Sequence, residues 1–362
     1  MGAPRGAKHY APAMIEEVPV RPSADDYVTA QRIAFAPLLF QAVRSARDMG
    51  VLAALDRAGS AGLTPRDVAR ETGHSLYAVR LLLEACLSLE VVSLEAERYA
   101  LRGPGVALLH DERTRVNLDF THDVCYRGAF HLEESLREGR PAGLSTLGDW
   151  ATIYEGVPEL PPAIRKSWYA FDHHYSDGVF PRAVRMLVQR GVHRLLDVGG
   201  NTGRFALQAA RAMDVTILDH PGEIAIARAS AEAAGLGERI TTRAIDLLDH
   251  SQAFPTSFDA VWMSQFLDCF AHDDIVALLG RGRAALNETG RIYVVESFWD
   301  RQPAESAQVS LHGLSLYFAC IANGTSRMYH SDDLLECAAR AGLSVEADRT
   351  LGPWHTLLVL KP

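Results

Sequence analysis

Residues 195–206 read LLDVGGNTGRFA. Two leucines lead into Asp197 and Val198, three glycines and an asparagine lie within Gly199–Gly203, and an apolar run resumes at Phe205. This is the pattern of a strand, a tight turn and the first residues of a helix. Glycine has no Cβ and reaches positive φ, so such a turn lets a ligand come close to the backbone. A dinucleotide-binding turn spaces its glycines as GxGxxG. The corresponding positions here are Gly199, Asn201 and Arg204, so that reading is excluded. The pattern is DxGxNxG, formed by Asp197, Gly199, Asn201 and Gly203. A carboxylate at the entrance of the turn suits a ligand that carries positive charge rather than a pyrophosphate.

Outward from this turn, short apolar runs alternate with helical patterns. VTILDH (215–220), FDAVWMS (258–264) and RIYVVES (291–297) read as strands, and RFALQAARAM (204–213) and DIVALLGRGRAAL (274–286) as helices. That rhythm predicts an α/β domain with a parallel sheet covered on both faces. LSVEADRTLGPWHTLLVLKP (343–362) reads as a closing pair of strands. Asp219 falls at the end of the second strand, where a carboxylate can accept hydrogen bonds from ribose hydroxyls. A nucleoside with a cationic head and no phosphates fits S-adenosylmethionine.

Upstream, APLLFQAVRSARDMGVLAALDRAG (36–59) predicts one or two packed helices ending at Gly59. In the next stretch Thr64 is placed to cap a helix with Pro65 at its first position, and Gly73 to end it. Ser75 is placed to cap a second helix, Leu76–Leu89, after which VVSL and RYAL alternate about a short turn. Helix, turn, helix and wing make a winged-helix pattern. From Leu63 to Arg102 it carries five arginines (66, 70, 80, 98, 102) against six acids (67, 71, 84, 90, 95, 97). A nucleic-acid reader presents a basic surplus, so the module reads as a packing or dimerisation domain. The helical stretch 113–185 is rich in aromatics (Phe120, Tyr126, Phe130, Trp150, Tyr154, Trp168, Tyr169, Phe171, Tyr175), which read mainly as core.

Composition agrees. The 362 residues are 48% hydrophobic and 22% charged, with a net charge of −9, which speaks against gripping phosphate backbones. Five cysteines without a CxxC read as reduced thiols rather than a disulfide framework or zinc site. No apolar run reaches the ~18–20 residues of a membrane span. Residues 1–20 read as a mobile arm without a signal-peptide core, so a cytoplasmic protein is expected.

On these motifs the chain resembles the class I S-adenosylmethionine-dependent methyltransferases, in particular the winged-helix small-molecule O-methyltransferases. LLDVGGNTG is similar to that family's DVGGGTG, ILDHP to its DLP, and RAIDLLD to its GDFF segment. The resemblance implies a Rossmann-like, doubly wound methyltransferase domain (186–362) behind an α-helical winged-helix dimerisation domain (21–112), with 113–185 as a helical linker and substrate roof. It implies a homodimer, a small-molecule acceptor and S-adenosylmethionine as cofactor. Asp197, Gly199, Gly200, Asn201 and Gly203 would hold the cofactor at the turn, with Ser264 beyond. Asp219 would take the ribose, and Asp246 and Leu247 would lie near the adenine. For Asp219 and Asp246 the plainer alternatives are a helix cap and a turn former.

DAVWMSQFLDCF (259–270) is similar to the family's D-V-Y-L-L-K-x-V-L-H-D-W, and there the chain departs from its pattern. Asp268 stands where the family has its catalytic histidine, Cys269 replaces an aspartate and Phe270 a tryptophan. Glu296 matches the family's acidic partner, whereas Ser326 stands at the position of its second glutamate. Burial between Phe266 and Phe270, close to Glu296, would raise the pKa of Asp268 towards that of a useful base. Otherwise Asp268 would cap the helix beginning near Ala271. His173, His174 and His312 are the other candidate bases, and no ligand spacing supports a metal. The expected reaction is methyl transfer to a hydroxyl of a small, aromatic molecule. Methylation of the ring carbon beside a phenol, or cofactor binding without catalysis, are the alternatives.

Overall fold

The computed structural model describes residues 21–362; the arm expected at 1–20 lies outside the described residues. The chain divides into two compact units at Asp111 and Glu112. Residues 113–185 pack as part of the second unit rather than as a separate linker.

In the first unit the helix-breaking and capping residues act as their chemistry dictates. Gly59 closes the helix Val51–Ala58. Thr64 and Asp67 form a reciprocal capping box at the start of Pro65–Thr72, and Gly73, at φ 74°, closes it in the left-handed region. A cap of this kind stabilises a helix by about 1 kcal/mol. Ser75 caps Leu76–Ser88. Strands β1 (Val92–Glu95) and β2 (Arg98–Leu101) pair antiparallel as the wing. Leu52, Leu55, Val79 and Leu83 are fully buried at the centre of this unit. By contrast, the helix Ala24–Ala34 buries no residue, and Tyr27, Ile33, Phe35 and Leu38 are more than half exposed.

The second unit is organised by β3 (Arg194–Val198), β4 (Asp214–Asp219), β5 (Ile240–Ala244), β6 (Phe258–Ser264), β7 (Leu286–Glu296), β8 (Ser344–Thr350) and β9 (Thr356–Lys361). They form one sheet in the order β5-β4-β3-β6-β7-β9-β8; the first five are parallel, and β9 and β8 add on antiparallel. Successive side chains of a strand point to opposite faces, and both faces are buried. Along β6, Ala260 and Trp262 pack into one apolar layer while Val261 and Met263 pack into the other. The same alternation runs through Ile292–Val295 of β7 and Leu357–Leu360 of β9. The chain winds outward from β3 to β5, then returns to place β6 on the other side of β3. That reversal opens a crevice at the carboxyl ends of β3 and β6, the place where open α/β sheets take ligands.

Of the aromatics of 113–185, Phe120, Trp168 and Phe180 are buried in the core and most others are half-buried, whereas Phe130 is 90% exposed. Among the described residues no helix is long and apolar enough to cross a membrane.

Candidate active site

A cavity of about 670 Å³ opens at that crevice. Its floor is the turn after β3. Gly199 has φ 73°, and a Cβ there would lie 2.2 Å from the Phe266 ring, so only glycine fits. Asn201 is also left-handed, at φ 51°, a conformation that asparagine tolerates better than most residues. Gly203, at φ 80°, opens the helix Arg204–Ala209.

Asp219, at the end of β4, binds this turn directly. Its Oδ2 accepts the backbone N–H of Asn201 at 2.7 Å, and its Oδ1 that of His220 at 2.7 Å. A carboxylate has about four acceptor positions, so two remain for hydroxyls of a ligand. Asp246 lines the cavity, and its Oδ1 also accepts the Leu248 N–H at 2.9 Å, which makes it a turn former as well. Leu247 is buried, and its carbonyl is held by the Arg281 guanidinium at 2.7 Å.

Behind the turn lies a smaller recess of about 60 Å³, lined among others by Asp172, Asp197, Gly200 and Ser264. Asp197 Oδ2 and Ser264 Oγ are buried there with no hydrogen-bond partner. Buried polar atoms without partners are rare and costly. Burial, with Asp219 as the next cause, pushes the Asp197 carboxyl up to about 8. Burial first, and neighbouring acids after it, push Asp172 up to about 7. Glu223, which accepts the Tyr169 hydroxyl at 3.0 Å, is likewise raised to about 7, first by burial and then by Asp219. Such a crowd of carboxyls is relieved by a bound cation. The donors, the glycine cradle and this charge fit S-adenosylmethionine.

Asp268 sits on the short 3₁₀ turn Leu267–Cys269 that follows β6. It does not cap the next helix: His272–Ala285 has Ala271 at its N-cap and no side-chain cap. Asp268 lines the cavity, is only 8% exposed, and burial pushes its carboxyl up to about 6. The Cys269 thiol donates to its Oδ1 at 3.5 Å. Burial and the nearby Asp268 carboxylate raise the Cys269 thiol well above its ordinary range, so it stays protonated and is no nucleophile.

Hydrogen bonds from several elements pin this turn. Glu296 Oε1, at the end of β7, accepts the N–H groups of Phe266 (3.0 Å) and Leu267 (2.9 Å). Asn323 donates to the Cys269 carbonyl at 2.6 Å, and the Tyr329 hydroxyl to that of Phe270 at 2.6 Å. Gln265, held at φ 47°, donates to the Tyr175 carbonyl at 2.8 Å, where His355 Nε2 also meets it at 2.8 Å. Glu296 is buried behind Phe266 and Leu267 and does not line the cavity, so it braces the turn rather than facing a ligand.

The three candidate histidines are not brought together. Along the helix Pro162–Ser176 the cavity-lining residues are Trp168, Phe171, Asp172 and Tyr175, the i, i+3, i+4, i+7 face of a helix. His173 and His174 fall off that face. His173 reaches the small recess, 3.5 Å from Thr202 Oγ1, with burial pushing its pKa down. His174 packs edge-on to Tyr175 and lines no cavity described here. His312 is exposed and lies beside Trp299, while Leu311 and Leu314 of its helix carry the cavity wall.

Sequence reasoning missed Tyr154, Asp172 and Glu223. Tyr154 lies on the short helix Ile153–Gly156, and its hydroxyl is buried against the Cys269 thiol, close to Asp268. Burial raises its pKa well above the ordinary tyrosine value. In the sequence it is one aromatic among ten in a helical stretch, with no spacing that marks it.

Residues 28–99 match the Dimerisation2-like domain and residues 175–344 the O-methyltransferase domain. The L-tyrosine C(3)-methyltransferase of Streptomyces lavendulae is 26% identical over 321 residues, 87% of this chain and 86% of that protein. The demethylspheroidene O-methyltransferase of Cereibacter sphaeroides is 33% identical over 238 residues, 65% of this chain and 62% of that protein. Among solved structures, the S-adenosylmethionine-dependent methyltransferase SibL in its apo form is alike in fold. Its TM-score is 0.68 at 24% identity, over 92% of this chain and 98% of that one.

Proposed function

We propose, for a chain that belongs to the S-adenosylmethionine-dependent methyltransferases and acts on a small metabolite, that the acceptor is a phenol whose hydroxyl oxygen takes the methyl group. One observation carries this reading: a nearly buried carboxylate, Asp268, stands on the wall of an aromatic-lined cavity where a base is required. S-adenosylmethionine supplies a methyl group on a positively charged sulfur. The turn 197–203 and Ser264 hold its charged end, Asp219 the ribose, and Asp246 and Leu247 the adenine side.

The chain's own part in the chemistry is to place the phenol and accept its proton. A phenol has a pKa near ~10. Transfer of its proton to a carboxylate of ordinary pKa, about 3.9, would be uphill by about 8 kcal/mol, at 1.36 kcal/mol per unit. With Asp268 raised to about 6, that gap shrinks to about 5 kcal/mol. The proton therefore moves to Asp268 as the new carbon–oxygen bond forms, not before. The Tyr154 hydroxyl supplies the missing partner for the acceptor oxygen, and Glu296 keeps the turn that carries Asp268 in place. Trp168, Phe120, Leu311 and Phe318 line the cavity and exclude water from the acceptor.

A second reading has its own support. The Streptomyces lavendulae relative is named for methylation of a ring carbon. Deprotonating a phenol enriches the ortho carbon as well as the oxygen, so the same base serves both outcomes. Methyl transfer to a panel of phenols, with the product solved by NMR, tests the proposal. An O-methyl ether supports it, a C-methyl phenol moves the conclusion to the second reading, and no transfer to any phenol refutes both.

The exposed apolar side chains of the first two helices, Tyr27, Ile33, Phe35 and Leu38, lie in or beside the Dimerisation2-like match. We assign them to the interface with a second copy of this chain.

A further inference from the structure

The cavity is one-sided in charge. Among the described residues its lining includes seven carboxyl side chains and neither lysine nor arginine; His220 is its one histidine. Asp172, Asp219, Glu223 and Asp246 border the turn and strand ends assigned to the cofactor. The other three are Glu155, Asp268 and Asp274; Asp268 marks the acceptor end, and Phe120, Trp168, Leu311, Leu314 and Met328 supply apolar wall to the same cavity. Of the nearby arginines, Arg281 holds the Leu247 carbonyl on the adenine side at 2.7 Å, and two others are committed elsewhere. Arg165 donates to the Pro158 carbonyl at 2.5 Å, and Arg327 pairs with Asp333 at 3.1 Å.

Two polar groups besides Asp268 point to what this end is built to receive. Ser297 lines the cavity, is 4% exposed, and its Oγ has no partner. The Tyr154 hydroxyl is also buried, with only the Cys269 thiol beside it. Both are neutral and can meet a hydroxyl, an amide or an amine. Neither can neutralise an anion.

Resting on the phenol reading above, we propose that the acceptor carries no negatively charged substituent. Its other groups are neutral or cationic, as in a phenolic amine, an amide or an ester, and free carboxylates, sulfates and phosphates are excluded. An anionic substituent would lose its water against apolar walls with no lysine or arginine to pair with, and would face Asp268 as a like charge. A cationic or neutral substituent meets neither penalty.

The test uses three para-substituted phenols that differ in the charge of the chain: tyramine, N-acetyltyramine and 3-(4-hydroxyphenyl)propionate. Binding to the full chain loaded with S-adenosylhomocysteine is measured by calorimetry, and methyl transfer separately with S-adenosylmethionine. The amine and the amide are expected to bind at least ~100-fold more tightly than the carboxylate, the scale of an unpaired buried charge. Thr325 lies exposed at the cavity edge. Thr325→Arg is expected to narrow the gap by about tenfold by supplying the missing cation. If the phenols bind in this order without being methylated, the charge rule stands and the phenol reading falls. The charge rule is overturned if the carboxylate binds as well as the amide, if none of the three binds, or if Thr325→Arg leaves the gap unchanged.

Discussion

The Oε1 atom of Glu296 accepts the backbone N–H of Leu267 at 2.9 Å, which ties the end of β7 to the turn that presents Asp268. The same oxygen takes the N–H of Phe266, while Oε2 is buried without a partner. This makes Glu296 a brace. Burial, and then the nearby Asp268 carboxylate, raise its pKa well above the ordinary value.

Glu296→Gln keeps the accepting oxygen and is expected to retain most of the activity and to shift stability by less than about 1 kcal/mol. Glu296→Ala leaves two buried N–H groups without an acceptor, at about 1–3 kcal/mol each. Chemical denaturation and turnover measured side by side decide the matter. A glutamine variant that folds normally but is inactive would show that the carboxylate itself takes part in the reaction.

Asp268→Asn keeps the shape of the side chain but removes the proton acceptor. Loss of a general base costs ~10²–10⁴ in rate, so turnover should fall at least a hundredfold. Affinity for S-adenosylhomocysteine and the melting temperature should stay near the parent values. Near-normal turnover in this variant eliminates Asp268 as the base.

Tyr154→Phe has a more unusual signature. Its hydroxyl is buried with the Cys269 thiol, a weak hydrogen-bonding group, as its neighbour, so its removal costs the fold little. Stability should hold or rise slightly, while kcat/KM falls by about tenfold, the ~1.4 kcal/mol of one hydrogen bond to the acceptor. A drop in stability together with unchanged kinetics would make Tyr154 part of the packing only.

The acids around the cofactor turn predict a pH dependence. Asp172, Glu223 and Asp197 are raised to about 7, 7 and 8 respectively. Each holds its proton in the folded protein after an unfolded chain would have released it near pH ~4. Their contribution to stability is therefore full below about pH 4 and lost as the pH rises towards about 8. A cationic ligand lowers these pKa values, so S-adenosylmethionine should release protons on binding at pH ~7 and bind more tightly as the pH rises. Calorimetry in two buffers of different ionisation enthalpy reads the proton count directly, and a count of zero contradicts the assignment. Asp219→Ala should weaken binding by a further ~1–3 kcal/mol.

The assembly proposal predicts a particle of about 79 kDa, twice the 39.6 kDa chain, in light scattering. Leu38, 68% exposed, is not part of a core within its own unit, so Leu38→Glu should yield folded monomers. A parent protein that scatters as a monomer at micromolar concentration removes the proposal.

How far the sequence can be read depends on the range over which its signals act. Thr64, Pro65, Gly73 and Ser75 act within one helical turn, and the structure places each as a cap, a first residue or a stop. The glycine turn and the strand runs are equally local. The acceptor end is not. Tyr154, Asp268 and Ser297 reach one cavity from three separate segments, and no spacing along the chain records that meeting. Two π-helical stretches, Thr121–Cys125 and Phe318–Ala322, shift the helical register near the cavity. A 3.6-residue period cannot anticipate them. The adjacent pair His173 and His174 misled for a related reason: neighbours on a helix point ~100° apart, so one face cannot use both.

The ring of Phe266 occupies the space where a side chain at position 199 would stand, 2.2 Å from the missing Cβ. The turn after β3 and the turn after β6 are thus one mutational unit, although 67 residues separate them in the chain (266 − 199). Substitutions at the two positions are therefore expected to be non-additive. Trimming Phe266 to enlarge the acceptor end removes the wall that Gly199 rests on, and loosens the cofactor turn with it. A bulkier residue at 199 is not rescued by that trimming, because its left-handed φ remains. An attempt to evolve new acceptor specificity in this scaffold would therefore meet its first constraint in the cofactor turn, and the walls formed by Leu311, Leu314 and Met328 offer the freer route.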